Sequence, residues 1–99
     1  MSLNNQRYFD EWEIIREELL GLMKSKNTKK FELMQKGINL LITIHDEVAE
    51  AAPLNYIDRL TFIESNIERH VSFVQLDELF KESKKKIARI RAQRKADES

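Results

Sequence analysis

Ser72-Phe73-Val74-Gln75-Leu76-Asp77-Glu78-Leu79-Phe80-Lys81-Glu82, continued by Ser83-Lys84-Lys85-Lys86-Ile87-Ala88-Arg89-Ile90-Arg91-Ala92-Gln93-Arg94-Lys95, reads as one amphipathic helix that runs into a basic end. Ser72 with Gln75 has the form of a capping box, in which each side chain satisfies a backbone N–H that the first turn leaves free. Phe73, Leu76, Phe80, Ile87 and Ile90 follow at the spacing of a packed helix face. The spacing predicts a helix over about 73–94.

Upstream, Pro53 separates two further helical patterns. Asn55 is a good cap with Asp58 three residues on, and Tyr56, Ile57, Leu60, Phe62 and Ile63 supply a short apolar helix over about 55–64. Before the proline, Phe31, Met34, Ile38, Leu41, His45 and Val48 form one stripe, with Leu33, Leu40 and Ile44 beside it. Two adjacent stripes imply more than one neighbour, so this second helix, about 29–51, is expected to be central. Gly37 inside it permits a close helix crossing. Pro53 is expected to end it, because the residue before proline is pushed out of the helical region. A first helix, about 5–25, carries Phe9, Trp12, Ile15, Leu19, Leu22 and Met23 on one face, and Ser25-Lys26-Asn27-Thr28 breaks the pattern with cap-forming residues. The expectation is an all-α fold with one domain over 1–99: an antiparallel four-helix bundle-like arrangement with a short third helix and a projecting basic C-terminal helix.

Composition supports that class. The 99 residues suffice for one modest core, and two Gly and one Pro leave few turns. No cysteine is present, which removes disulfides, thiolate nucleophiles and thiolate metal sites. No run approaches the length of a membrane span, and Met1-Ser2-Leu3 leads into polar Asn4-Asn5-Gln6 rather than a signal-peptide core, so a soluble cytoplasmic protein is expected. The 17 basic residues balance 17 acids, which argues against a dedicated nucleic-acid binder.

Pro53-Leu54-Asn55-Tyr56-Ile57-Asp58-Arg59-Leu60-Thr61-Phe62-Ile63 together with His70-Val71-Ser72-Phe73-Val74-Gln75-Leu76-Asp77-Glu78-Leu79-Phe80-Lys81-Glu82 resembles the bacterial YpoC-like family, with support from Tyr8-Phe9-Asp10-Glu11-Trp12. The residues that carry the resemblance are Arg59, Leu60, Phe62 and Ile63, then Ser72, Phe73, Gln75, Leu76, Glu78, Leu79 and Phe80. In the connector, where the family's pattern has a proline and an aromatic, this chain has Ile67 and Val71. The resemblance implies a small helical fold and a bacterial cytoplasmic setting, and it carries over no catalytic residue.

The residues offer little start for catalysis. His45-Asp46 looks like half of a metal phosphohydrolase signature, but His45 shares a stripe with Leu41 and Val48, the place of a hydrogen-bonded core histidine. Neither Glu-x-x-His nor His-x-x-x-His occurs, so no metal site is expected. Glu47 with Glu50, Glu64 with Glu68, and Asp77 with Glu78 read as solvated helix faces rather than acid–base pairs. Gly21 and Gly37 are isolated, and there is no phosphate loop or nucleophile elbow. The expectation is a non-enzymatic protein without a cofactor or an identified small-molecule substrate.

The basic run is the remaining clue. From Lys81 to Lys95 eight Lys or Arg face one acid, Glu82. At about 100° per residue, Phe80, Ser83, Ile90 and Arg94 fall near the apolar centre set by Ile87, and the other bases wrap the helix. Asp77 to Lys81 and Glu82 to Lys86 are expected as i,i+4 pairs. Lys84, Lys85, Lys86, Arg89, Arg91, Arg94 and Lys95 are the candidate contacts for phosphate or an acidic partner, against the alternative that they only solvate a helix end. Two apolar residues in the run are too few for a membrane. The acidic stretch of helix 1 around Asp10, Glu11, Glu13, Glu17 and Glu18 could meet the basic end within one molecule or across a dimer, and Trp12 reads as core. The chain is therefore expected to bind a protein partner or itself, with non-specific nucleic-acid binding as the alternative.

Overall fold

A computed structural model describes residues 5–98. Among these residues the chain forms four α-helices and no strand: α1 Gln6–Leu22, α2 Lys29–Glu47, α3 Tyr56–Ser65 and α4 His70–Glu98, with a 3-10 turn at Ala49–Ala51. The all-α class is as expected, with a short third helix. Met1-Ser2-Leu3, part of the expectation above, lies outside the described residues.

Side-chain pairs give the helix directions. Glu18 with Lys29 and Tyr8 with Glu47 make α1 antiparallel to α2. Trp12 with Asp77 and Asn5 with Arg91 make α1 antiparallel to α4. His45 with Ser83 leaves α2 and α4 parallel. The core is one cluster, from Phe9, Trp12, Ile15 and Leu19 of α1 through Met34, Ile38, Leu41 and Ile44 of α2 to Leu60 and Ile63 of α3 and Phe73, Leu76, Leu79, Phe80 and Ile87 of α4.

The central helix is α4 rather than α2, because α4 packs against α1, α2, α3 and the 3-10 turn, whereas α2 meets α1, the turn and α4. Length explains this. At 1.5 Å per residue the 29 residues of α4 span roughly 43 Å, enough to run past every other element.

Four boundaries differ from the sequence expectation, the first being the end of α1, at Leu22 rather than about 25. α2 ends at Glu47, before the residues that Pro53 constrains, because Val48 leaves the helical region at φ −134° and ψ 76°. The break lets Ala51 tuck fully into the core, and Pro53 then acts on Ala52, which is extended. The α1–α2 turn follows its cap residues: Ser25 Oγ donates to the Leu22 carbonyl and Asn27 Oδ1 accepts from the Lys29 N–H. α4 begins at His70, so Ser72 is not a cap. It is fully buried inside the first turn, and its Oγ donates to the Asn66 carbonyl at 2.6 Å, tying the connector to the helix. At the far end α4 continues to Glu98, past the expected end near Arg94.

Gly37 is a point of close approach between α2 and its neighbours. A Cβ placed there would meet the Trp12 ring at 2.5 Å and Leu76 at 3.1 Å, while one placed on Gly21 would meet nothing within 4 Å. Gly37→Ala is expected to destabilise the protein by about 1–3 kcal/mol through overpacking, and Gly21→Ala to stabilise it by about 0.5–1 kcal/mol through helix propensity. Urea unfolding of the two variants checks both signs.

Candidate functional site

The basic residues of α4 divide into two sets. Lys86 Nζ donates to the Ala52 carbonyl at 2.8 Å, Arg91 Nη2 to Asn5 Oδ1 at 2.9 Å, and Arg94 Nη2 to Glu50 Oε1 at 2.8 Å. These three close the end of the core against the 3-10 turn and the start of α1. Lys84, Lys85, Arg89 and Lys95 are exposed and make no hydrogen bond or ion pair within the described residues. Of the two expected i,i+4 pairs, Asp77–Lys81 forms at 3.3 Å. Glu82–Lys86 does not, because Arg59 of α3 takes Glu82 through both nitrogens while Lys86 turns to Ala52. The bidentate pair holds the Glu82 carboxyl below its ordinary range. Among the described residues the basic end of α4 reaches Asn5, Glu50 and the Ala52 carbonyl and forms no ion pair with the acids of α1; Glu18 instead pairs with Lys29.

Asp77 was expected on a solvated face and lies in the interior, 8% exposed. Its Oδ1 accepts from Trp12 Nε1 at 3.1 Å and Arg16 Nε at 3.2 Å, and its Oδ2 faces Lys81 Nζ at 3.3 Å. Burial alone would raise its pKa, but the bonds from Trp12, Arg16 and Lys81 outweigh that and lower it. All its partners are structural donors of this chain. Glu47 accepts from Tyr8 and Glu50 from Arg94.

His45 is buried, as its stripe implies. Ser83 Oγ lies 2.7 Å from the Leu79 carbonyl and 2.9 Å from His45 Nε2, a bond whose direction depends on the ring tautomer. Tyr56 is tilted over the ring at 4.4 Å. Ser83 is fully buried, so the pair packs two helices together and presents no nucleophile to solvent. Among the described residues no group of three His, Asp or Glu side chains is placed to hold a metal ion, and no helix is long and apolar enough to cross a membrane.

One open groove, of about 450 Å³, lies between α3 and α4 and is lined by Asn55, Asp58, Arg59, Phe62, Val71 and Gln75. Asn55, Asp58, Arg59 and Phe62 recur at three- and four-residue intervals on one face of α3. Phe62 and Val71 are exposed large apolar side chains, and Val74 extends the apolar surface one turn along α4. Asn55 stands at the cap position, yet it adopts a left-handed φ of 58° and its side chain makes no capping bond. Asp58 and Gln75 likewise make no hydrogen bond within the described residues. Sequence reasoning missed this groove by counting Phe62 with the other apolar residues of a short helix without separating its faces. A signal was present: on α3, Tyr56, Leu60 and Ile63 fall within about 60° of one another, whereas Phe62 lies about 120° off that stripe.

The chain belongs to the YpoC-like protein family, whose model matches residues 3–95. Neither the curated proteins nor the solved structures include a significant match to it.

Burial is the main cause holding the His45 pKa below its ordinary value; Lys86 adds to this, and the Val48 backbone opposes it. The folded state thus binds a proton less readily than the unfolded chain, so stability is full above the unfolded pKa near 6.5 and falls as pH drops below it. Chemical denaturation at pH 7.5 and 5.5 should show this loss, and His45→Gln should flatten it. The acid-range losses from Asp77 and Glu82 lie below about pH 4.5 and stay separable.

Proposed function

We propose that this member of the YpoC-like family is a non-enzymatic interaction module of the bacterial cytoplasm, docking a protein partner through the groove between α3 and α4. One observation carries the reading: Asn55, Asp58 and Gln75 line an apolar groove with their hydrogen-bonding capacity unspent. Local rules are broken where another demand competes, and Asn55 is, among the described residues, the one non-glycine residue with a left-handed φ. Asp77, Ser72 and Ser83 in the interior, by contrast, hold neighbouring segments together.

A second reading rests on Lys84, Lys85, Arg89 and Lys95, which could meet duplex phosphates without sequence preference. It is the weaker one, because Lys86, Arg91 and Arg94 already serve the fold.

A photoreactive residue at Val71 tests the first reading. It should yield a discrete cross-linked adduct in cells of the host, lost on Phe62→Glu, while the same probe at exposed Lys36 should not. Phe62 is 40% exposed, so Phe62→Glu should cost about 1 kcal/mol of stability and leave the chain folded. The same adduct from both positions, or one indifferent to Phe62, rejects the groove. For the second reading, four phosphate contacts predict that log Kobs for duplex DNA falls with log salt at a slope of about −3.6. Affinity unchanged after neutralising all four bases rejects it.

A further inference from the structure

The charges around the α3–α4 groove narrow the kind of partner it fits. Arg59 at its edge is locked in a bidentate pair with Glu82 and offers no free charge. Asp58, on the first turn of α3, is exposed and makes no hydrogen bond or ion pair within the described residues. Glu78 shares the α4 face of Val71, Val74 and Gln75, and its contact with Lys81 is long at 3.9 Å. With Arg59 and Glu82 paired and Lys81 beside Glu78, Asp58 is the carboxylate left at the groove without a counter-charge. Phe62 and Val71 form the apolar wall between them. Asn55 and Gln75 each present an amide, a group with both donors and an acceptor, which matches the alternating N–H and C=O of a peptide backbone.

From this combination we infer that the groove takes a peptide segment of a partner protein that places an apolar side chain against Phe62 and Val71 and a Lys or Arg against Asp58. The inference rests on the docking reading above and deepens it by giving the partner's chemistry. An acidic segment is disfavoured because it would set like charges opposite Asp58 and Glu78. A second copy of the chain would bring its own Asp58 towards this Asp58 in a two-fold arrangement, where each surface meets itself. Arg59 is also poorly suited to serve across such an interface, since its guanidinium is held by Glu82.

Two short fluorescein-labelled helical peptides of matched apolar pattern, one of leucine and lysine and one of leucine and glutamate, serve as probes in fluorescence anisotropy. The lysine peptide should bind the wild-type chain and the glutamate peptide should not. Asp58→Asn should weaken the lysine peptide about tenfold, and Asp58→Lys further, while Glu11→Lys on the exposed face of α1 should leave it within about twofold. The Asp58 effect should shrink in high salt. Circular dichroism confirms that each variant is folded. If Asp58→Asn leaves affinity unchanged, or Glu11→Lys weakens it equally, attraction is diffuse and the inference is overturned. A concentration-dependent dimer in sedimentation that shields Phe62 overturns it in favour of self-association. Adducts at Val71 that depend on Phe62 but not on Asp58 would sink the basic-partner inference while leaving the docking reading intact.

Discussion

Trp12 is the residue on which three helices converge. Its ring stacks on Phe80 of α4 with centroids 4.4 Å apart, leans towards Phe73, and fills the notch that Gly37 leaves in α2. A side chain of that size in the middle of the core would strand its one polar atom, and a buried indole N–H without an acceptor is costly. Asp77 supplies the acceptor from α4. A carboxylate so placed needs compensation, which Arg16 from α1 and Lys81 from α4 provide at its rim. Size, notch, acceptor and counter-charges form one coupled set, and removing a member leaves another unsatisfied.

The same logic recurs towards each end of α4. At one end Ser72 is buried and binds the connector carbonyl of Asn66; further along Ser83 is buried and meets His45. These two small polar residues each join α4 to a different segment. Beyond Ser83 the apolar stripe thins, and Lys86, Arg91 and Arg94 replace it by bonding to the 3-10 turn and the start of α1. Much of the basic run thus continues the packing by charge. Its excess over local acids reflects partners that are distant in sequence.

Periodicity made much of this fold readable before any coordinates. The buried face of α1, the Gly37 notch, Trp12 in the core and His45 as a core histidine all follow from spacing, since the helical repeat projects those residues to one side wherever the helix packs. Boundaries were less legible. Ser72 with Gln75 has the form of a cap, but a capping box describes only what the chain can do locally, and burial of Ser72 under Asn66 competes with it. The break at Val48 was hidden for a similar reason, because it answers to the burial of Ala51 rather than to Pro53. The groove was hidden in part: Phe62 stood visibly off the stripe of α3, while the pairing that neutralises Arg59 did not.

Residue spacing by itself determined that this chain is all-α and which side chains enter the core, because both depend on one 3.6-residue repeat acting along each segment. Only the tertiary structure decided that α4 is the central helix, that Asp77 is interior, and which polar groups are left for a partner. Those outcomes depend on which residues meet across the packed faces, where Trp12 and Asp77 are 65 positions apart. A hydrogen bond over that separation forms only when α1 and α4 are already side by side, so no local pattern encodes it.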